Sequence, residues 1–177
     1  MRILVIGGSP HEHGSSNMLA GEFIRGAEEA GHEVEVFDAA KADLHPCIGC
    51  DVCGTAGPCT FDDDMTQLKD RIRQADLLAF VTPLYYFSVS TQLKCVIDRF
   101  YSFNGELTMM RKKTVFIVAG WDSTDASYAC IRSYYQQLCR YLDFQDQGMV
   151  IGRGCGTTSM TARSKHLAAA YDLGKGL

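Results

Sequence analysis

Five short apolar runs rich in branched residues, Ile3 to Ile6, Val34 to Phe37, Leu77 to Thr82, Val115 to Ala119 and Met149 to Ile151, alternate with stretches of helical periodicity. Strands that are apolar throughout, rather than at every second position, belong in sheets covered on both faces. Leu19, Phe23, Ala27 and Ala30 define a first helical face, with Gly31 a fitting stop. Met65, Leu68, Ile72 and Ala75 define a second, behind Asp62, Asp63 and Asp64, which suit a helix N-terminus by capping and by the dipole. Leu93, Val96, Ile97 and Phe100 mark a third and Tyr128, Ile131, Leu138 and Leu142 a fourth. A last helix is expected from about Thr161 to Leu173, ending at Gly174. The order βαβαβαβαβα implies an α/β fold with a parallel sheet and right-handed crossovers. At 177 residues and 46% hydrophobic composition, the chain is read as one domain over residues 1–177.

A formal net charge of −4 without a basic run argues against a nucleic-acid partner. The N-terminal apolar stretch, Met1 to Gly8, is too short for a signal peptide, and no window has the apolar length of a membrane span. The reading is therefore a cytoplasmic protein without a membrane partner. In a reducing compartment, eight cysteines point to ligands or buried thiols rather than disulfides. Cys95, Cys130 and Cys139 fall in predicted helices and read as buried hydrophobes, while Cys155 stays unassigned.

Residues 38–62 form a stretch without periodicity, far longer than an ordinary βα connection, and long loops of that kind are commonly functional. Inside it lies Cys47-x2-Cys50-x2-Cys53-x5-Cys59. Three thiolates at i, i+3 and i+6 can wrap one side of an iron-sulfur cube, and the spacing is close to the bacterial ferredoxin run, although the fourth cysteine here is local and its spacer longer. Structural zinc, usually held by two separated knuckles, and a metal-free loop are the alternatives.

Two other loops carry chemistry. Gly8-Ser9-Pro10-His11-Glu12-His13-Gly14-Ser15-Ser16-Asn17 leads from the first strand into a helix, where glycines admit close approach and hydroxyl, amide and main-chain donors can meet an anion. It matches neither G-x-G-x-x-G nor G-x4-G-K-[ST], so it is not a dinucleotide or NTPase loop; the plain alternative is a capped helix start. After the third strand, Pro83-Leu84-Tyr85-Tyr86-Phe87-Ser88 sets three consecutive aromatics in a loop, which a flat heteroaromatic ligand would explain, or one or two rings closing the core. Gly120-Trp121 after the fourth strand could wall the same pocket. With strand order 2-1-3-4-5, the first two of these loops flank the switch point between β1 and β3, where open sheets bind ligands. The cysteine loop follows β2 on the same rim, roughly 10 Å from β3 before any excursion.

Gly8-Ser9-Pro10, the Gly14-Ser15-Ser16 turn, Pro83-Leu84-Tyr85-Tyr86 and Leu93-Lys94-x3-Asp98-Arg99-Phe100 resemble the NAD(P)H-dependent FMN reductase family. The cysteine run followed by Asp62-Asp63-Asp64-Met65 resembles its iron-sulfur flavoprotein branch. The match runs from residue 1 to about residue 120 and weakens beyond. This resemblance implies a flavodoxin-like three-layer sandwich, noncovalent FMN, a 4Fe-4S cluster on Cys47, Cys50, Cys53 and Cys59, and a homodimer or homotetramer. By position, Ser9, His11, Ser15, Ser16 and Asn17 would surround the phosphate, with Pro83, Leu84, Tyr85, Tyr86, Phe87, Ser88 and Gly120 near the ring. Where the family often has an Arg-Lys pair after Ser-Pro, this chain has His11-Glu12, which alters charge compensation of the phosphate.

The activity implied is transfer of electrons, with NAD(P)H as a possible donor, through FMN to a small acceptor. No side chain is assigned as acid or base, and Lys94 with Asp98 reads as a structural ion pair. The alternatives are a nonenzymatic electron carrier exchanging single electrons with a ferredoxin-like partner, and a flavoprotein whose cysteines bind zinc to brace the loop.

Overall fold

The computed structural model describes residues 1–177. Strands β1 (Arg2–Gly7), β2 (Glu33–Asp38), β3 (Leu77–Pro83), β4 (Lys113–Ala119) and β5 (Gln145–Gly152) form one parallel sheet of order β2-β1-β3-β4-β5. Because successive strand residues face opposite ways, Ile3 and Val5 join one core while Leu4 and Ile6 join the other. The first core packs under α1 (Ser15–Glu29) and α7 (His166–Lys175). The second packs under α2 (Met65–Gln74), α3 (Thr91–Arg99) and α5 (Ala129–Tyr141). These are the three layers of a flavodoxin-like sandwich. No helix is long and apolar enough to cross a membrane.

Three elements differ from the sequence reading. After α3, a 3-10 turn (Phe100–Phe103) and α4 (Asn104–Met110) occupy a stretch with no clear periodic signal, and they bury Phe100, Phe103 and Leu107. Strand β5 begins at Gln145 rather than Met149. Its first three residues are exposed and polar, the composition that protects an edge strand, so they hide it from a hydrophobic-run reading. The expected last helix is two: α6 (Thr158–Ala162) and α7. Between them the Ser164 hydroxyl donates to the Thr161 carbonyl at 2.8 Å and accepts from the His166 amide at 3.3 Å. Such local bonding competes with helix continuation.

Gly174 is not a stop signal but lies within α7, where it lets two backbones touch. A Cβ at Gly174 would overlap the Phe23 carbonyl oxygen, and one at Gly26 would overlap that of Tyr171. Helices α1 and α7 thus cross through a notch of two glycines. Gly26→Ala forces them apart and should cost about 1–3 kcal/mol, read as a lower urea midpoint. An unchanged midpoint would contradict this packing.

Candidate functional site

The carboxyl ends of β1, β3, β4 and β5 open into one crevice of about 740 Å³. Its first wall is the loop from Ser9 to Ser16. The His11 carbonyl is the hub of this loop. It accepts from the Gly14 amide at 2.9 Å, the Ser9 hydroxyl at 3.2 Å and Asn17 Nδ2 at 3.1 Å. Asn17 Nδ2 also donates to the Glu12 carbonyl at 3.1 Å, so Asn17 braces the loop from behind and does not line the crevice. A Cβ at Gly14 would stand 3.0 Å from the His11 carbonyl, so a side chain there would press on the hub.

The loop ends at the N-terminus of α1. Gly14 supplies no side-chain cap, and a helix start leaves its first amides without intrahelical partners. Ser16 adds a hydroxyl that is 2% exposed and has no hydrogen-bond partner. Buried polar atoms are almost always paired, so an orphaned donor at the positive end of a helix is suited to an anion. Of the titratable residues lining the crevice, His11, Glu12 and His13 stand on this loop, and no Lys or Arg lines it. Glu12 is paired with Lys41 at 3.2 Å.

Pro83, Leu84 and Tyr85 form the second wall. Beyond them the chain makes a two-residue hairpin turn in which the amides of Tyr85 and Ser88 each donate to the other's carbonyl at 3.0 Å. Tyr86 (φ 45°) and Phe87 (φ 67°) occupy its left-handed positions, where Asn or Gly is preferred. The turn carries Tyr86, Phe87 and Ser88 away from the crevice lining and leaves Tyr86 98% exposed. Of the three aromatics, only Tyr85 lines the crevice.

The two walls are tied at their base. The buried Ser90 hydroxyl donates to the Gly8 carbonyl at 2.6 Å, and the Ser90 amide donates to Thr82 Oγ1 at 2.9 Å. Ser90 also caps α3. A third wall is Ala119, Gly120 and Trp121. A Cβ at Gly120 would stand 2.6 Å from the Tyr128 hydroxyl, which itself donates to the Asp122 carbonyl at 2.8 Å. Burial, then the nearby Cys155 and Asp122, push the Tyr128 phenol up to about 12, so it stays a donor.

The sequence reading missed the fourth wall. Cys155, Gly156, Thr157 and Thr158 follow β5, and a Cβ at Gly156 would run into the Trp121 indole. The only cue was that β5 shares the rim, since this segment matches no binding motif. Cys155 is thus a buried thiol on the crevice wall.

The cysteine loop makes a separate centre. Cys47 and Cys50 are exposed, Cys53 and Cys59 half-buried, and all four line one small cavity with Phe61 and Tyr101. It holds about 20 Å³ and shares no lining residue with the crevice. No three His, Cys, Asp or Glu side chains are gathered closely enough for a single metal ion. Thr55, a β-branched residue at φ 67°, and Asp51 at φ 58° mark a strained backbone between the cysteines. The Tyr101 hydroxyl donates to Asp51 at 2.8 Å. Of the three carboxylates after the motif, only the Asp63 side chain bonds the start of α2. Asp63 accepts from the Met65 amide, whereas Asp64, at the N-cap, makes no capping bond and accepts from the Asp43 amide at 2.8 Å. Lys94 and Asp98 are an exposed ion pair at 2.5 Å.

An open parallel sheet of this order, with a crevice at its switch point, defines a flavodoxin-like protein. A family model described as NADPH-dependent FMN reductase matches residues 1–145, and the chain belongs to that family of oxidoreductases. It is 35% identical over 99 residues to an iron-sulfur flavoprotein of Methanocaldococcus jannaschii, covering 56% of this chain and 51% of that protein. The chain spans about half the length of this and other iron-sulfur flavoproteins that it matches. In structure it is similar to an NAD(P)H:quinone oxidoreductase from Methanothermobacter marburgensis, at TM-score 0.79 and 20% identity, covering 99% and 95% of the two chains. It is also similar to an FMN-dependent NADH-azoreductase from Bacillus anthracis solved with FMN, at TM-score 0.74 and 15% identity, covering 99% and 97%. At those identities the likeness speaks for the fold.

The orphaned Ser16 hydroxyl fits a ligand phosphate. Ser16→Ala should weaken FMN by roughly 10- to 100-fold, the loss of one charge-assisted hydrogen bond, and leave riboflavin binding unchanged. Fluorescence titration with both flavins checks this, and equal weakening of both would contradict it.

Proposed function

We propose that this chain is an FMN-dependent reductase that passes electrons from NAD(P)H to a small acceptor. The observation that carries the reading is the Ser16 hydroxyl, buried and unpartnered at the start of α1, in a member of an FMN reductase family. On this reading Ser9, Ser15 and Ser16 hold the phosphate with the first amides of α1, and His11 stands beside it. Pro83, Leu84, Tyr85 and Gly120 border the ring. Bound FMN supplies exchange of hydride or single electrons; the protein orients it and limits its contact with water. Tyr85 and Trp121, both on the rim and exposed, leave one side open to a nicotinamide or acceptor ring. The related quinone oxidoreductase and azoreductase make a quinone or similar conjugated acceptor the reading to test first.

We further propose that Cys47, Cys50, Cys53 and Cys59 hold a 4Fe-4S cluster. Four cysteines around one cavity support it, as do relatives named iron-sulfur flavoproteins. Zinc draws its ligands directly onto one ion, at about 2.3 Å per sulfur. A cluster interposes its own iron and sulfide and holds its thiolates further apart than a single ion does. The 20 Å³ cavity must widen to take it, and the exposed Cys47 and Cys50 allow movement outward. This supports the second reading, a carrier of single electrons supplied by a ferredoxin-like donor. A homodimer or homotetramer in the cytoplasm completes the proposal.

FMN, iron and zinc assays on anaerobically purified protein, followed by turnover with NADH or NADPH and a quinone, test both readings. Stoichiometric FMN with nicotinamide-driven turnover is expected, and reduction by a protein donor alone would favour the carrier. Cys50→Ala should lose the iron, keep FMN near the wild-type content and retain NAD(P)H reduction of the flavin. Transfer from a one-electron protein donor should fall sharply. Unchanged donor-driven reduction without a cluster would remove the relay role.

A further inference from the structure

Both roots of the cysteine loop meet at one guanidinium. Arg99, the last residue of α3, is 1% exposed. Its Nη1 donates to Asp63 Oδ2 and to the His45 carbonyl, each at 2.7 Å, and its Nη2 donates to Asp63 Oδ1 at 2.9 Å. Asp63 Oδ2 accepts in turn from the His45 amide at 3.0 Å. His45 stands just before Cys47 and Asp63 just after Cys59, and the His45 ring stacks on Phe61 at 4.8 Å. The segment bearing all four cysteines therefore leaves and returns through a single clamp.

Stability alone is a poor reason for such a pair, because desolvation of two buried charges offsets most of their attraction. What a bidentate fork adds is orientation. Burial works to raise the Asp63 carboxyl, but Arg99 and the amides of His45 and Met65 outweigh it and hold it below the usual carboxylate value. A second observation is independent of the clamp: Arg99 Nε is buried and has no partner.

We infer that Arg99 is the positioning residue of the cysteine centre: its fork sets His45 and Asp63 so that Cys47 and Cys59 border one cavity. The effect on a cluster rests on the iron-sulfur reading; the hold on the loop does not. At the other end of the same helix, Ser90 is bonded to Gly8, the residue before the crevice loop. Helix α3, nine residues and so about 13 Å long, is then a strut between the two centres. Loosening its far end should free the cysteines and leave the crevice intact.

Arg99→Lys keeps the charge but cannot bridge His45 and both Asp63 oxygens. Wild type and variant are loaded anaerobically with ferrous iron and sulfide, then compared for FMN content, iron loss to a chelator and the electron paramagnetic resonance spectrum of the reduced cluster. Unloaded samples are compared for proteolysis within residues 46–60. The variant should keep its FMN, lose iron at least about tenfold faster, give several overlapping cluster signals in place of one, and be cut faster in the loop. Wild-type rates with an unchanged spectrum would overturn the assignment, as would FMN lost in step with iron. If the wild type takes up no iron, the iron-sulfur reading fails, and the proteolysis comparison still decides whether Arg99 holds the loop. Should Arg99→Lys not fold, Asp63→Asn, which keeps the shape and loses the charge, answers by the same readouts.

Discussion

A parallel sheet whose order reverses beside its first strand sends the connection from β1 one way and that from β3 the other. The two loops cannot close over each other, and the gap between them becomes a crevice lined by main-chain donors. In this protein the register β2-β1-β3 and the Ser90 hydroxyl on the Gly8 carbonyl fix that gap. The start of α1, the glycines at 8 and 14 and the unpartnered Ser16 hydroxyl all lie at that reversal. The aromatic hairpin and the walls after β4 and β5 then decide what shape the crevice accepts.

Charge is distributed unevenly between the crevice and the cysteine loop. The crevice lining offers helix amides, hydroxyls and two histidines, but no Lys or Arg. The one deeply buried cation of the molecule that grips a carboxylate, Arg99, serves the cysteine loop instead. A phosphate bound there, as proposed, would depend on directed hydrogen bonds and the helix dipole. The cysteine loop depends on a charged clamp and on a strained backbone around Asp51 and Thr55.

The sheet was legible because its strands are buried on both faces and read as continuous apolar runs, and because short strands alternating with helices admit few topologies. What the sequence concealed has local causes. Gln145 to Gln147 are polar because they lie at an edge, and Gly174 looks like a terminator although it serves a helix crossing. The loop after β1 was readable as a row of donors, and Ser9 to Ser16 do line the crevice. Asn17, by contrast, is a brace, since its amide reaches two carbonyls of its own loop. Three adjacent aromatics suggested one ring-binding wall, but the left-handed turn at Tyr86 and Phe87 leaves Tyr85 alone at the crevice. The wall after β5 had no motif to betray it, because it is built from small residues packed against Trp121. The clamp at Arg99 joins residues far apart in sequence, so spacing could not reveal it.

The central claim is that the crevice between β1 and β3 takes FMN by its phosphate and presents the ring to a nicotinamide. Anaerobic stopped-flow mixing of FMN-loaded protein with NADH or NADPH, following loss of the oxidised-flavin absorption, tests it most directly when repeated with riboflavin in place of FMN. The account predicts stoichiometric uptake and rapid bleaching with FMN, and weak uptake of riboflavin. Riboflavin held as tightly as FMN, or bound FMN that neither nicotinamide reduces, would contradict it.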